Sequence, residues 1–188
     1  MNLPKIALLL LLPLAASAGE LREERDPSTG LSSWLYIENG FSLQFIQLLP
    51  EYVHALYSSR GLPRGVVDSM TDYCVFGTVI KNDTPGQLSY KVADWRYFTA
   101  DGKAQKLRTK TEWVKEWRRL GSNYQWSILP DDQTFEPGDW SQGFTTVKLK
   151  PGTTFDLAVH WRIGHEKHQY KLKDLRCAPE NPPVAGDS

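Results

Sequence analysis

The chain moves between two hydrophobic rhythms, and each change of rhythm marks an element. Ser33-Trp34-Leu35-Tyr36-Ile37 and Phe41-Ser42-Leu43-Gln44-Phe45-Ile46-Gln47-Leu48 are rich in aromatic and branched side chains, as strands are. Glu38-Asn39-Gly40 separates them, and Asn-Gly is a strong hairpin signal because both residues tolerate a positive φ. Over residues 50–59 the period lengthens. Leu49, Val53, Leu56 and Tyr57 share one helical face, Pro50 suits the first helical position, and Glu51 suits the positive end of the helix dipole. Residues 64–71 predict a second short helix with Val66, Val67 and Met70 inward, and Gly61-Leu62-Pro63 forms the corner of a helical hairpin.

From Asp72 the strand rhythm returns. Strands are predicted over residues 73–80, 87–98 (with a bulge near Asp94), 124–129, 143–149, 154–163 and 168–177, separated by Asn, Asp, Pro and Gly turns. Residues 111–120 interrupt them, because Trp113, Trp117 and Leu120 recur at helical spacing, with Thr111 as a cap. Six to eight short strands at this spacing predict a mainly β fold, an antiparallel sandwich with a small N-terminal helical hairpin. The expected organisation is an arm, β-hairpin and helical hairpin over 19–71, then a sandwich over 72–177. Residues 20–30 are expected to be a loose charged arm, and the proline-rich polar tail over 178–188 to be disordered.

The first eighteen residues follow neither rhythm. Lys5 supplies a positive start, residues 6–15 an apolar run rich in leucine, and Ala16-Ser17-Ala18 small side chains at a cleavage site. The run is too short to span a bilayer as a mature helix, so it reads as a signal peptide cleaved after Ala18. The mature chain is then expected to be periplasmic or secreted, without a transmembrane segment. Loss of Lys5 leaves 21 basic against 22 acidic side chains, a formal charge of −1. A near-neutral chain argues against a nucleic-acid partner, which needs clustered Lys and Arg.

Two cysteines remain, Cys74 and Cys177. In an oxidising compartment such a pair is expected to be bridged. The alternatives are a redox-active pair or a copper thiolate site, and neither cysteine lies in a Cys-x-x-Cys motif or beside a helix start.

Phe76-Gly77-Thr78-Val79-Ile80-Lys81-Asn82, the turn at Ala100-Asp101-Gly102-Lys103, and Leu149-Lys150-Pro151-Gly152 followed by Phe155-Asp156-Leu157 carry a resemblance. Over residues 74–177 the chain resembles bacterial extracytoplasmic immunoglobulin-like domains. These open on a Gly-x-Val-x-Asn strand and carry a Pro-Gly turn before a late strand. The shared motifs are turn chemistry, so the resemblance implies an immunoglobulin-like sandwich and no activity.

Candidate chemistry is sparse. His160, His165 and His168 surround a predicted hairpin turn and are candidate copper or zinc ligands, with Glu166 beside them; the bland reading is a polar turn and one strand histidine. Seven tryptophans are many for this length. Trp95, Trp126 and Trp161 fall in predicted strands and are expected in the core, and Trp34 is expected half-buried. Trp113, Trp117 and Trp140 lie in connecting segments flanked by charge, so with Arg118 and Arg119 they are the candidate partner or ligand surface. Against this stands packing of the Trp113/Trp117 stripe over the sheet as a satellite cluster.

No Gly-x-Ser-x-Gly elbow, His-Glu-x-x-His, phosphate loop or dinucleotide fingerprint is present. Asp131, Asp132, Glu136 and Asp139 read as a solvated acidic loop. Together these features predict a non-catalytic accessory protein that docks on another envelope protein. A glycan binder using the loop tryptophans, or a metal-handling protein using the histidine hairpin, are the alternatives.

Overall fold

A computed structural model of the chain describes residues 19–181, so the predicted leader and the last seven residues of the tail lie outside the described residues. Among the described residues eleven strands form two antiparallel sheets. Sheet A has the order β1-β2-β3-β4-β9, from β1 (Glu20–Arg25), β2 (Ser32–Glu38), β3 (Phe41–Leu48), β4 (Cys74–Asn82) and β9 (Trp140–Val147). In sheet B, β10 (Thr154–Ile163) pairs on one side with β11 (Glu166–Arg176). On its other side lie two short strands, β5 (Leu88–Lys91) and β6 (Arg96–Phe98), which pair in turn with β8 (Asp132–Phe135) and β7 (Ala104–Lys106). The mainly β sandwich expected from the strand rhythm is what forms.

Local chemistry accounts for the connections. Asn39 and Gly40 take φ of 47° and 90° and join β2 to β3 as a two-residue turn, with Glu38 facing Phe41. Helices α1 (Pro50–Ser59) and α2 (Arg64–Thr71) join β3 to β4, its antiparallel neighbour, at the boundaries the helical pattern predicts. Helix α3 (Lys110–Arg119) is capped by Thr109 rather than by the expected Thr111, in a reciprocal box with Glu112, and so starts earlier than predicted.

Four expectations are corrected. The charged arm is strand β1, paired along its length with β2; a strand at a sheet edge needs no apolar alternation. The break in the strand over 87–98 is a 3-10 turn at Val92–Asp94 rather than a bulge. The predicted strand at 124–129 reduces to one bridge, between Ile128 and Phe144. The tail is packed at its start, where Ala178 is buried and its carbonyl accepts the Gly152 amide at 3.0 Å. The segment 19–71 supplies three of the five strands of sheet A, so its helical hairpin is an excursion from that sheet.

The main core lies between the sheets and is aromatic. Trp161 of β10 stacks on Phe41 of β3 at 4.1 Å between centroids, and Trp95 and Trp34 are as deeply buried. Trp34 is therefore core rather than half-buried. Cys74 and Cys177 form the expected disulfide, with 5.4 Å between their Cα atoms, and tie the first residue of β4 to the residue after β11. A second core lies on the outer face of sheet A, where α1, α2 and α3 meet around Val53, Tyr57, Val66, Val67, Trp113 and Trp117. Burial there raises the pKa of the Tyr57 phenol, making it a weaker acid, and its hydroxyl hydrogen-bonds Ser127.

The β1–β2 connection gives a pH prediction. Asp26 accepts hydrogen bonds from the Ser28 hydroxyl at 2.6 Å and the Ser28 and Thr29 amides at 2.8 and 2.9 Å. The Ser28 hydroxyl first, then the two amides, hold its carboxyl down to about 2. A depressed carboxyl favours the folded turn above its ordinary value of 3.8, and that contribution is lost as pH falls from there through about 2. An NMR titration of the Ser28 and Thr29 amides should give a midpoint near 2; a midpoint at the ordinary value means the turn does not hold the carboxylate.

Candidate functional site

Sequence placed the candidate surface on Trp113, Trp117, Arg118, Arg119 and Trp140. The structure separates them. Helix α3 turns Trp113, Val114 and Trp117 toward sheet A, and both tryptophans are 0% exposed. Trp113 Nε1 donates to Thr146 Oγ1 at 3.0 Å, and Trp117 Nε1 donates to Ser69 Oγ at 3.3 Å. The expectation that these two rings face a ligand is corrected: they are the satellite cluster. Flanking charges misled because on a helix the neighbours of a buried residue point outward. Arg118 and Arg119 do lie on the solvent side, in the last turn, where the helix dipole favours cations.

Trp140 is on another surface. It opens β9, faces Lys81 of β4 and is 56% exposed on the outer face of sheet A. The helices cover one end of that face, above Leu48, Val75 and Thr146, and Phe144 in the next row packs against the same cluster. Register places three further rows across β2, β3, β4 and β9. They read Ser33, Ile46, Gly77, Phe144; then Leu35, Gln44, Val79, Gln142; then Ile37, Ser42, Lys81, Trp140.

Lys81 is the one charge in these rows and is held by Asp83 at 2.8 Å. Along β1, Glu20, Arg22 and Glu24 border the face, with Arg22 paired to Glu20. The surface thus has an uncharged, partly apolar centre and a charged rim, the anatomy of a protein interface. Four strands about 4.8 Å apart and three rows about 6.8 Å apart give it an area on the order of 400 Å². Trp126 adjoins it and is corrected from core to surface. It is 77% exposed and directly precedes Ser127, whose carbonyl accepts the Phe144 amide on the outer edge of β9.

The three histidines do not converge. Register pairs His160 with Gln169 and Trp161 with His168, and neighbouring pairs on a hairpin point to opposite faces. His168 therefore stacks on Trp161 inside the sandwich, at 5.5 Å between ring centroids, while His160 lies on the outer side and His165 in the turn. Among the described residues no three His, Cys, Asp or Glu side chains are grouped to hold a metal ion. The candidate copper or zinc site at His160, His165 and His168 is corrected on that geometry, which matches the other reading, a polar turn and one strand histidine.

The acidic stretch also has structural uses. Asp131 accepts the Thr111 amide at the start of α3, Glu136 accepts from the Gln87 side chain, and Asp139 accepts the Glu136 amide. Asp132 opens β8, so the stretch is part strand rather than a free loop.

No protein-family model matches the sequence, and neither does any curated protein. Among solved structures the chain is similar to the yjhA protein from Bacillus subtilis, with 10% identity over 75% of this chain and 96% of that one, and a TM-score of 0.45. It is also similar to a Bordetella pertussis protein provisionally named ApaA, with 10% identity over 86% and 90% of the two chains, and a TM-score of 0.36.

Proposed function

We propose that this chain is a non-catalytic accessory module of the cell envelope, an immunoglobulin-like sandwich that docks on another envelope protein through the part of the outer face of sheet A that the helices leave uncovered. The observation that carries this reading is the uncharged field of Leu35, Ile37, Ile46, Val79 and Trp140 within a rim of paired charges. Its neutrality selects a partner surface that is itself apolar or uncharged. Its size, half of the roughly 800 Å² per partner of a standard interface, suits transient docking. The leader-like first eighteen residues and the Cys74–Cys177 bridge support an oxidising compartment outside the cytoplasm. No helix among the described residues is long and apolar enough to cross a membrane.

Photo-crosslinking in living cells tests the docking. A photoreactive side chain at Gln142 is expected to give one adduct of defined mass with a second envelope protein. Ile46→Asp is expected to lower its yield roughly tenfold, since a charge at the centre of an apolar contact costs at least the ~1.4 kcal/mol that tenfold represents. No adduct, or an adduct of twice the chain's own mass, would remove the proposal.

A further inference from the structure

The buried tryptophans of α3 leave its other sides to an uneven distribution of charge. The chain carries equal numbers of basic and acidic side chains, 22 each, yet the surface around α3 is strongly basic. On one side of the helix lies a cleft of about 500 Å³ whose walls include Lys106, Lys115, Arg119 and Lys148. On the other side lies a cleft of about 590 Å³ lined by Lys110, Lys115, Arg118 and Arg119. Lys115 and Arg119 belong to both, so the two clefts are one basic surface wrapped round the helix.

The nearby acids are fewer than the cations. Glu116 pairs with Arg108, Glu112 is held by the amide and hydroxyl of Thr109 in the capping box, and Asp131 is held by the Thr111 amide. Arg108 itself is fixed: its guanidinium lies 3.9 Å over the Trp113 ring and donates to the Tyr73 hydroxyl at 3.3 Å. By contrast, among the described residues Lys106, Lys110, Lys115, Arg118, Arg119 and Lys148 have no carboxylate within 4.0 Å. These cations come from three separate places in the fold: β7, α3 and the segment after β9. Their mutual repulsion is a cost that a bound anion would relieve.

We propose that the paired clefts around α3 bind an acidic oligosaccharide, one with a carboxylate or phosphate on successive sugars. Lys115 and Arg119 stand one helical turn apart, about 6 Å, so they meet neighbouring anionic groups rather than one. Arg118 and Arg119 offer planar forks that match either group, and Lys106 and Lys148 act as point charges on the far wall of the first cleft. Concave walls suit a narrow chain better than a flat lipid surface does. The apolar residues in the walls, Leu107 and Val114, are buried and offer a membrane no anchor. This surface is separate from the face of sheet A, so the two proposals stand or fall independently.

Calorimetry with the mature protein and a hexamer of galacturonic acid tests the inference, with maltohexaose, inorganic phosphate and phosphatidylglycerol vesicles as the other arms. Saturable binding of the acidic hexamer that weakens with salt is expected, with no heat from the neutral hexamer. The pair Lys115→Glu and Arg119→Glu should weaken binding roughly tenfold or more, because each reversal removes an attraction and adds a repulsion.

A control pair, Lys91→Glu and Arg162→Glu, changes cations in a third cleft on the outer face of sheet B, where Asp94 and Asp132 offset two of the four cations that line it. That pair should leave the affinity within about twofold, the effect expected of distant surface charge at moderate salt. Circular dichroism of both pairs checks that they fold. Failure to bind the acidic hexamer, equal losses from both pairs, phosphate binding as tightly as the hexamer, or binding to vesicles alone would each overturn the inference.

Discussion

Replacing Cys74 and Cys177 together by alanine is expected to lower the unfolding free energy by about 3–5 kcal/mol and the midpoint of thermal unfolding by roughly 10 °C. The bridge spans 103 positions, and closing a loop of that length removes about 4.7 kcal/mol of unfolded-state entropy in the chain-entropy model. Its position adds to the effect. Cys74 belongs to sheet A and Cys177 follows the last strand of sheet B, so the bond clasps the two layers at one end.

Non-covalent contacts at the same end are modest. The Gln47 side chain donates to the Arg176 carbonyl at 2.9 Å, and the Cys177 amide donates to the Thr153 carbonyl at 2.9 Å. Each such bond contributes about 1 kcal/mol net, too little to replace the clasp. Thermal scans of the wild type, oxidised and reduced, beside the double variant would measure the loss. A difference below about 1 kcal/mol would mean that these contacts hold the end closed without the bond.

Where local chemistry settles a conformation, the sequence was enough. Helices α1 and α2 follow from an apolar period bounded by Pro50 and Gly61-Leu62-Pro63, and the β2–β3 hairpin follows from Asn39-Gly40. Strands whose pairing comes from neighbours were hidden. β7 and β8 are three and four residues long, and β1 is charged throughout except for Leu21. Legibility of the candidate surfaces failed for two other reasons. The histidine cluster depended on cross-strand register, which turns His160 and His168 to opposite faces although they are close in sequence. The basic clefts depended on tertiary assembly, because Lys106 and Lys148 reach α3 only once the strands have paired, and whole-chain charge averages them away. Trp140 is exposed, but in strand β9 rather than in the connecting segment expected of it, and register puts it on the uncovered face of sheet A.

The tryptophans that looked alike in sequence are expected to differ greatly when truncated. Trp113→Ala should cost about 3–5 kcal/mol, since it removes a fully buried ring from the centre of the second core. Three further losses follow from its contacts. Thr146 Oγ1, in a residue 1% exposed, loses the indole donor that satisfies it. Trp117, whose ring lies 5.6 Å away, loses its neighbour, and the Arg108 guanidinium loses the aromatic face beneath it. Helix α3 should therefore loosen from sheet A, and the basic surface it carries should loosen with it.

Trp140→Ala should change stability by less than about 0.5 kcal/mol, because a ring 56% exposed leaves no sealed cavity. Urea denaturation of the two variants under one set of conditions makes the comparison. Equal losses, or a cost below about 1.5 kcal/mol for Trp113→Ala, would mean that α3 does not depend on this ring to hold it against the sheet.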